Sequence, residues 1–508
     1  MEFLGLIVFI LIMLSVMKFT LSKIGINFAL ANQKSMNILN PISHIFKILF
    51  TGFKSDGMMN NYNQDKLFSS SNKGLLIDGM SKRLSTKDSF NHLALISRTG
   101  GGKTSSYVIP NIFKLANGKN SMVITDISGE LHNQTSGYLK QQGYKIYVLN
   151  PEDLTESIGY NPLYYATDST KIDELVSILI KSNKESSKSS AENEYWDNGA
   201  KSILSTLIKL VISMKNHKYI NLANIKHLIN NFGTDGANLH HLVDEFGDDT
   251  VYNEFKGFMG MNPQTLMSIM ANANIALSPI AINENLAKLT ANHTINFDNF
   301  RKEKSVIYIK IPGQKQKQYR FLLNIFYHQF FNNMMETLPL KNDLPIYALL
   351  DEFGNMNLPD FDTTITTIRK YNVSISIMLQ DINQLESKYG KVNAQTIING
   401  GISNKLYYNG ADLPTTEALS KIFGLKEEIK IDIDGNYYFK DQAVMRADEI
   451  RMIKDNEALF ITANKLPAKF KIKPYYKDFV FNQYSKIIPF KINAGDYMNN
   501  IEYIDLES

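Results

Sequence analysis

The segment Ser97-Arg98-Thr99-Gly100-Gly101-Gly102-Lys103-Thr104 constrains this chain more than any other. It follows a short apolar run, 92–96, and opens a helical pattern that reaches about residue 115. It fits the phosphate-loop pattern G-x-x-x-x-G-K-[ST], with serine in place of the first glycine. Three consecutive glycines let backbone N–H groups close around phosphate oxygens, and the helix N-terminus adds its dipole. Lys103 would neutralise the β- and γ-phosphates, and Thr104 would hold Mg²⁺. The expected ligands are ATP and Mg²⁺, bound by Ser97, Arg98, Thr99, Gly100, Gly101, Gly102, Lys103, Thr104 and Ser105. The serine fits only if it can adopt the backbone angles that the loop requires.

Such a loop needs an acid on a neighbouring strand. Ile346-Tyr-Ala-Leu-Leu-Asp351-Glu352 supplies an apolar run that ends in two carboxylates. Asp351 would order the Mg²⁺ shell, and Glu352 would polarise the attacking water as a general base. A further apolar run, 373–379, ends in Gln380, which can sense the γ-phosphate or orient water. Arg369 stands shortly before it, where an arginine could reach a neighbouring subunit's phosphate. The catalytic candidates are therefore Lys103, Glu352, Gln380 and Arg369, and the metal candidates Thr104 and Asp351.

Around these motifs the chain alternates apolar strand patterns with helical ones: strands at 121–126 and 144–149, a helix at 129–142. That alternation predicts an α/β fold with a parallel sheet and helical crossovers. From about 169 to 292 strand signals vanish, and apolar residues recur at helical spacing, as in Ile203, Leu204, Leu207, Ile208 and Val211. Strand patterns return at 305–311, 346–350, 373–379, 405–409 and 458–462. Lys103 and Asp351 lie far apart, and a compact phosphate-loop core does not need the whole interval. The excess matches the helical block, which reads as an insertion splitting the core. The expected division is 1–21 as a transmembrane anchor, 22–60 as a basic juxtamembrane segment and 61–168 as the first half of the nucleotide-binding domain. An all-α insertion at 169–292, the second half at 293–480 and a tail at 481–508 complete it.

The chain has 508 residues and no cysteine. Disulfide frameworks, thiolate zinc sites, iron–sulfur clusters and cysteine nucleophiles are excluded together. Lys+Arg 54 against Asp+Glu 50 leaves a net charge of +4, so no global basic footprint marks a nucleic-acid binder. Charge is asymmetric only near the start. Residues 3–17 carry none, and as a helix they rise roughly 22 Å; extension to residue 21 gives roughly 28 Å, close to a hydrocarbon core. Ala29-Leu30-Ala31 resembles a cleavage site, yet the leading Met-Glu has no basic residue and two lysines intervene. The reading is a retained single-pass anchor. Lys18, Lys23, Lys34, Lys47 and Lys54 stand in 18–55 with no acid, so the bulk should face the cytoplasm. The stretch 42–53 reads as an interfacial amphipathic helix.

Several longer stretches resemble the coupling-protein ATPases of type IV secretion and conjugation. These are Leu349-Leu-Asp-Glu-Phe-Gly-Asn-Met-Asn-Leu-Pro-Asp-Phe361, the run from Thr367 to Gln380, and the run from Thr104 to Ile112. Asp126-Ile-Ser-Gly-Glu-Leu131, Gly159-Tyr-Asn-Pro-Leu163 and Lys473-Pro-Tyr-Tyr-Lys-Asp478 match as well. The resemblance covers roughly residues 90 to 480, in order. It implies a RecA-like P-loop ATPase core with an inserted all-α domain and an N-terminal transmembrane helix in the bacterial cell membrane. It also implies a homohexameric ring that receives single-stranded DNA with its relaxase and delivers it to the type IV secretion channel proteins. The family's phosphate-loop Lys and Thr map onto Lys103 and Thr104, its acidic pair onto Asp351 and Glu352, its sensor onto Gln380, and a proposed finger onto Arg369. Departures are one clear span where the family often shows two, and Ser128 where many relatives carry Lys.

Three rival functions remain. One is an ATPase receptor for protein effectors, another a chromosome-segregation DNA translocase, which would bring several spans and a winged-helix tail. The third is a membrane receptor that binds nucleotide without turnover, against which Glu352 and Gln380 count. Elsewhere, Trp196 reads as a core residue. His240, His241, Asp244 and Glu245 read as a surface helix and not a metal pair. The lysines of 465–477, interleaved with Phe470, Tyr475 and Tyr476, read as a closing element of the sheet more than as a strand-binding groove. The tail reads as a frayed terminus or a contact segment.

Overall fold

The computed structural model describes residues 57–506, apart from 183–190, 234–235, 432–436, 493–497 and 499. The expected anchor and the 42–53 stretch lie outside the described residues. Among those described, no helix is long and apolar enough to cross a membrane.

The strands are β1 (Leu93–Ile96), β2 (Ser121–Asp126), β3 (Lys145–Leu149), β4 (Ser305–Lys310), β5 (Ile346–Leu350), β6 (Val373–Leu379), β7 (Asn404–Tyr407), β8 (Leu425–Ile431), β9 (Tyr437–Ala443), β10 (Glu457–Thr462) and β11 (Ala468–Lys471). Nine of them form one sheet in the order β11-β10-β7-β1-β6-β5-β2-β4-β3. The run from β7 to β3 is parallel throughout, and β10 and β11 add antiparallel edges. The central strands are largely apolar because helices cover both faces. Every residue of β1, β2, β5 and β6 is buried.

The strand order corrects one expectation. Strand β5, with its acids, does not neighbour β1; β6 lies between them, with Leu95 of β1 opposite Met378 and Leu349 of β5 opposite Ser376. Pairing across hundreds of residues is set by packing of whole elements, which local hydrophobic pattern does not encode.

After the glycine loop the chain makes one wide helical turn, Thr104–Val108, in which the Ile109 N–H reaches back to the Thr104 carbonyl. Helix α1 (Ile109–Ala116) then follows with Pro110 in its first turn. The wide turn places the proline where a missing N–H costs little, so it neither breaks nor bends the helix interior. Helix α2 (Glu130–Gln141) is capped by Asp126, whose carboxylate accepts the N–H groups of Leu131 (3.2 Å) and His132 (2.8 Å). Asp126 of the resembling box is thus a buried helix cap.

Between β3 and β4 the described residues hold helices and no strand. The longer ones are α3 (Ser169–Ser182), α4 (Ala191–Ser213), α5 (Leu222–Asn230), α6 (Asp249–Met259), α7 (Pro263–Ala276) and α8 (Glu284–Ala291). Their apolar stripes meet in a core that includes Leu204, Leu207, Ile208 and Val211, all at most 1% exposed. Trp196 is not in that core: it is half-buried and packs edge-on against exposed Tyr195 at 5.0 Å. Helix α9 (Arg320–Glu336) follows β4, and α10 (Phe479–Tyr484) closes the core near the end.

Several described residues of the tail are held in place. Tyr484 stacks on Tyr138 at 3.9 Å, the Phe490 N–H donates to Ser136 Oγ at 3.0 Å, and Ile504 is buried. Lysines of the 465–477 stretch belong to the sheet edge: Lys469 pairs with Glu457 at 2.9 Å, and Phe470 packs edge-on to Phe68. A separate compact unit holds, among described residues, 57–58 and 423–444; its body is the antiparallel hairpin of β8 and β9, in which Leu425 faces Ala443.

Candidate phosphate-binding site

The carboxyl ends of β1, β5 and β6 meet at one edge of the sheet, where an open parallel sheet presents its ligand crevice. The N–H of Ser97 donates to the Leu379 carbonyl at 3.0 Å, which carries the β1–β6 ladder one step into the loop. Ser97 is fully buried and is not among the residues of positive φ, so a side chain is tolerated at this position. The conformations that demand glycine come later: Gly100 has φ +74° and Gly102 φ +86°. Beside Gly100 an added Cβ would meet nothing within 4 Å, so the loop stays open on that side. The Lys103 ammonium is buried under the loop and donates to the carbonyls of Ser97 (2.9 Å) and Arg98 (3.4 Å).

Asp351 ends β5 below this loop. Its Oδ2 accepts the Thr104 hydroxyl at 3.2 Å, and its Oδ1 accepts the Glu352 N–H at 3.0 Å. Burial, and then the neighbouring Glu352 charge, push its pKa up to about 6, against the opposing pull of the Glu352 N–H, Thr104 and Lys103. Glu352 sits in the left-handed region, φ 52° and ψ 35°, which non-glycine residues rarely adopt. That twist turns its carboxylate toward β6, where Gln380 Nε2 donates to its Oε2 at 3.3 Å. Gln380 is itself fixed through its backbone N–H, which donates to Gln384 Oε1 at 3.1 Å. Next to Gln384 lies Gly354, where an added Cβ would fall 2.0 Å from that same Oε1.

Five of the predicted residues, Lys103, Thr104, Asp351, Glu352 and Gln380, therefore share this edge. Arg369 does not. Its Nη1 donates to Asn91 Oδ1 at 2.8 Å, at the amino end of β1 and thus at the opposite edge from the loop. Arg98 turns outward toward Asp455 at 3.7 Å and lies over Gly410. Sequence reasoning missed Asn409, which binds Asp455 through Nδ2 while its buried Oδ1, lacking a partner, faces Gly101. It also missed Gln384; neither residue stands in a recognisable spacing. Among the described residues no cluster of three His, Asp or Glu could hold a metal, and His240 pairs with Asp244 on an exposed helix at 3.0 Å.

The residues fit a magnesium nucleotide. Thr104 and Asp351 place two hard oxygen donors 3.2 Å apart, with a buried ammonium beside them.

Loop, acid and glutamine on the carboxyl edge of a largely parallel sheet define a RecA-like P-loop fold. The chain belongs to the Type IV secretory system Conjugative DNA transfer family, whose pattern matches residues 52–498. It is similar to Protein VirD4 of Rhizobium radiobacter, 22% identical over 407 residues, which cover 76% of this chain and 57% of that one. It is also similar to Conjugal transfer protein TraG of Agrobacterium fabrum, 24% identical over 317 residues, covering 59% of this chain and 45% of that one. The chain thus spans about half the length of these curated relatives. Among solved structures, the bacterial conjugative coupling protein TrwBΔN70 superposes with a TM-score of 0.64 at 16% identity, covering 82% of this chain and 92% of that one. TrwB in complex with ADP and Mg²⁺ gives 0.62 at 16% identity, covering 82% and 93%.

Proposed function

We propose that this chain is a membrane-anchored, ATP-driven coupling protein. In this reading it recruits a DNA–relaxase complex and delivers it to a type IV secretion channel during conjugative transfer. The observation that carries the reading is the Thr104–Asp351 contact at 3.2 Å with the Gln380–Glu352 contact at 3.3 Å beside it. Support comes from the family and from TrwB, which has been solved with ADP and Mg²⁺ and with a non-hydrolysable ATP analogue.

When bound, magnesium nucleotide supplies a phosphoanhydride whose charge the cation draws off. Lys103 would turn from the loop carbonyls to the phosphates, and Thr104 and Asp351 would hold the cation. Glu352 would take the proton from the attacking water at its carboxylate, which the Gln380 amide holds in place. Arg369 stands at the far edge from its own loop, so it could serve only a neighbour's phosphate. The reading includes a homohexameric ring anchored by residues 1–21.

The test is copurification from membranes with the bound partners identified, alongside hydrolysis and transfer assays. Mg²⁺-dependent hydrolysis should vanish in Lys103→Ala. Transfer at wild-type frequency by that mutant overturns the motor role. Recovery of protein effectors without relaxase would favour the effector-receptor reading.

A further inference from the structure

Away from the phosphate site, the helical block grips the end of the chain. Asn221 caps α5, its Oδ1 accepting the Asn224 N–H at 2.9 Å and the Asn224 Nδ2 at 3.4 Å. This orients the Asn224 carboxamide, which is fully buried. The amide then reads the backbone of the tail at two points: Nδ2 donates to the Glu502 carbonyl at 3.0 Å, and Oδ1 accepts the Ile504 N–H at 3.0 Å. Paired contacts to residues i and i+2 are what a neighbouring strand offers, so the grip selects an extended segment. Side chains add specificity. Ile504 is 4% exposed, Lys218 Nζ meets Glu502 at 2.8 Å, and the His227 ring lies 5.2 Å from that of Tyr503, with its Nε2 3.2 Å from the Ile504 carbonyl.

Residues 500–502 also line a cleft of about 1290 Å³ whose walls include Tyr164, Lys209, His217 and His293. The grip is also slight: one buried aliphatic side chain, a few hydrogen bonds, and an ion pair exposed enough to contribute little. What favours the tail is its tether, which acts as a high local concentration.

We propose that this groove is a peptide-reading site and that residues 502–505 are its built-in occupant. An extended peptide of the same chemistry, with an acid two residues before a branched aliphatic, displaces the tail. The inference does not rest on nucleotide turnover.

The probe is a fluorescent peptide of residues 500–508. The receptor is the full chain carrying Glu502→Lys and Ile504→Ser, which should loosen its own tail and leaves every groove residue in place. Anisotropy should show saturable binding to this variant, at least about ten-fold weaker binding to the wild type, and loss of binding when Asn224→Ala is added. A folded double variant that binds no peptide at millimolar concentration overturns the proposal, as does binding that ignores Asn224→Ala. Should the double variant not fold, hydrogen exchange at the Ile504 amide of the wild type decides. Millimolar peptide should lower its protection, and unchanged protection overturns the proposal.

Discussion

The Thr104 hydroxyl donates to Oδ2 of Asp351 at 3.2 Å, across 247 residues of chain. The carboxylate it meets is 8% exposed and has a pKa pushed up to about 6, chiefly by burial and then by the adjacent Glu352. A carboxylate that ionises two units late costs the fold on the order of 2–3 kcal/mol at neutral pH. Asp351→Asn removes that charge and keeps an oxygen for Glu352 N–H, while the Thr104 hydroxyl can rotate to accept. Nucleotide-free Asp351→Asn should therefore be more stable than wild type by about 1–3 kcal/mol in urea denaturation. Its Mg²⁺-dependent hydrolysis should fall by about two orders of magnitude. A variant that is both less stable and fully active would show that Asp351 is a structural acid and not a cation ligand.

The Gln380–Glu352 contact should separate binding from turnover. Gln380 reaches the carboxylate and not the loop, so its loss should leave nucleotide affinity nearly unchanged. Gln380→Ala is expected to lower kcat about 10- to 100-fold with KM within about three-fold, the signature of an interaction used in the transition state. Glu352→Gln should lower kcat further, by about 10²–10³-fold, with nucleotide binding intact by fluorescence titration. Parallel rises in KM for both variants would place the two residues in ground-state binding.

Ser97 tests how strictly the loop pattern must be obeyed. The serine is buried and outside the left-handed region, and its Oγ is 2.1 Å from where a Cβ on Gly101 would sit. The hydroxyl occupies space between loop and strand that a glycine would leave free. Ser97→Gly should retain hydrolysis within about three-fold and lose on the order of 1 kcal/mol of stability from backbone entropy. Gly101→Ala, which drives a methyl into that hydroxyl, should impair nucleotide binding much more. Equal activity in the two variants, measured side by side, would refute this picture of the loop.

What could be read in advance follows from what is local. The runs LALI, SMVITD, IYALL and VSISIML are buried on both faces and read as strands because no polar alternation is needed there. The candidate residues stand at the ends of those runs or just past the loop that follows one, so the shared edge of Lys103, Thr104, Asp351, Glu352 and Gln380 could be anticipated from position alone. The insertion of β6 between β1 and β5 could not, since register between distant strands has no local signal. The β8–β9 hairpin was missed because LKEEIKI and YYFKDQA mix charge with apolar residues and form no continuous apolar run. Asn409 binds Asp455 46 residues on and Asn224 the backbone of Glu502 278 residues on, while Gln384 accepts a backbone N–H, a contact that many polar residues could make.

Two histidines, His92 buried and His293 half-buried, contribute to the response to acid. His92 is fully buried with φ 57°, and its Nδ1 accepts the Ile375 N–H at 3.0 Å. Burial first, and then the Arg369 charge, lower its pKa to about 3; burial lowers His293 to about 4. In each case the folded pKa lies below the unfolded value near 6.5, so the fold favours the neutral ring. Their contribution is whole above pH 6.5 and is lost as pH falls from there toward 4 and 3. Each should add a slope of up to about 1.4 kcal/mol per pH unit in that window. Asp351 works in the opposite sense, because its raised pKa relieves the fold as pH drops through 6. The net expectation is a loss of about 2–4 kcal/mol in urea-derived stability between pH 6.5 and 4.5. His92→Asn tolerates the left-handed backbone and does not titrate, so it should remove up to about one proton from the slope. An unchanged slope in His92→Asn would mean that His92 is solvated and charged in the folded chain.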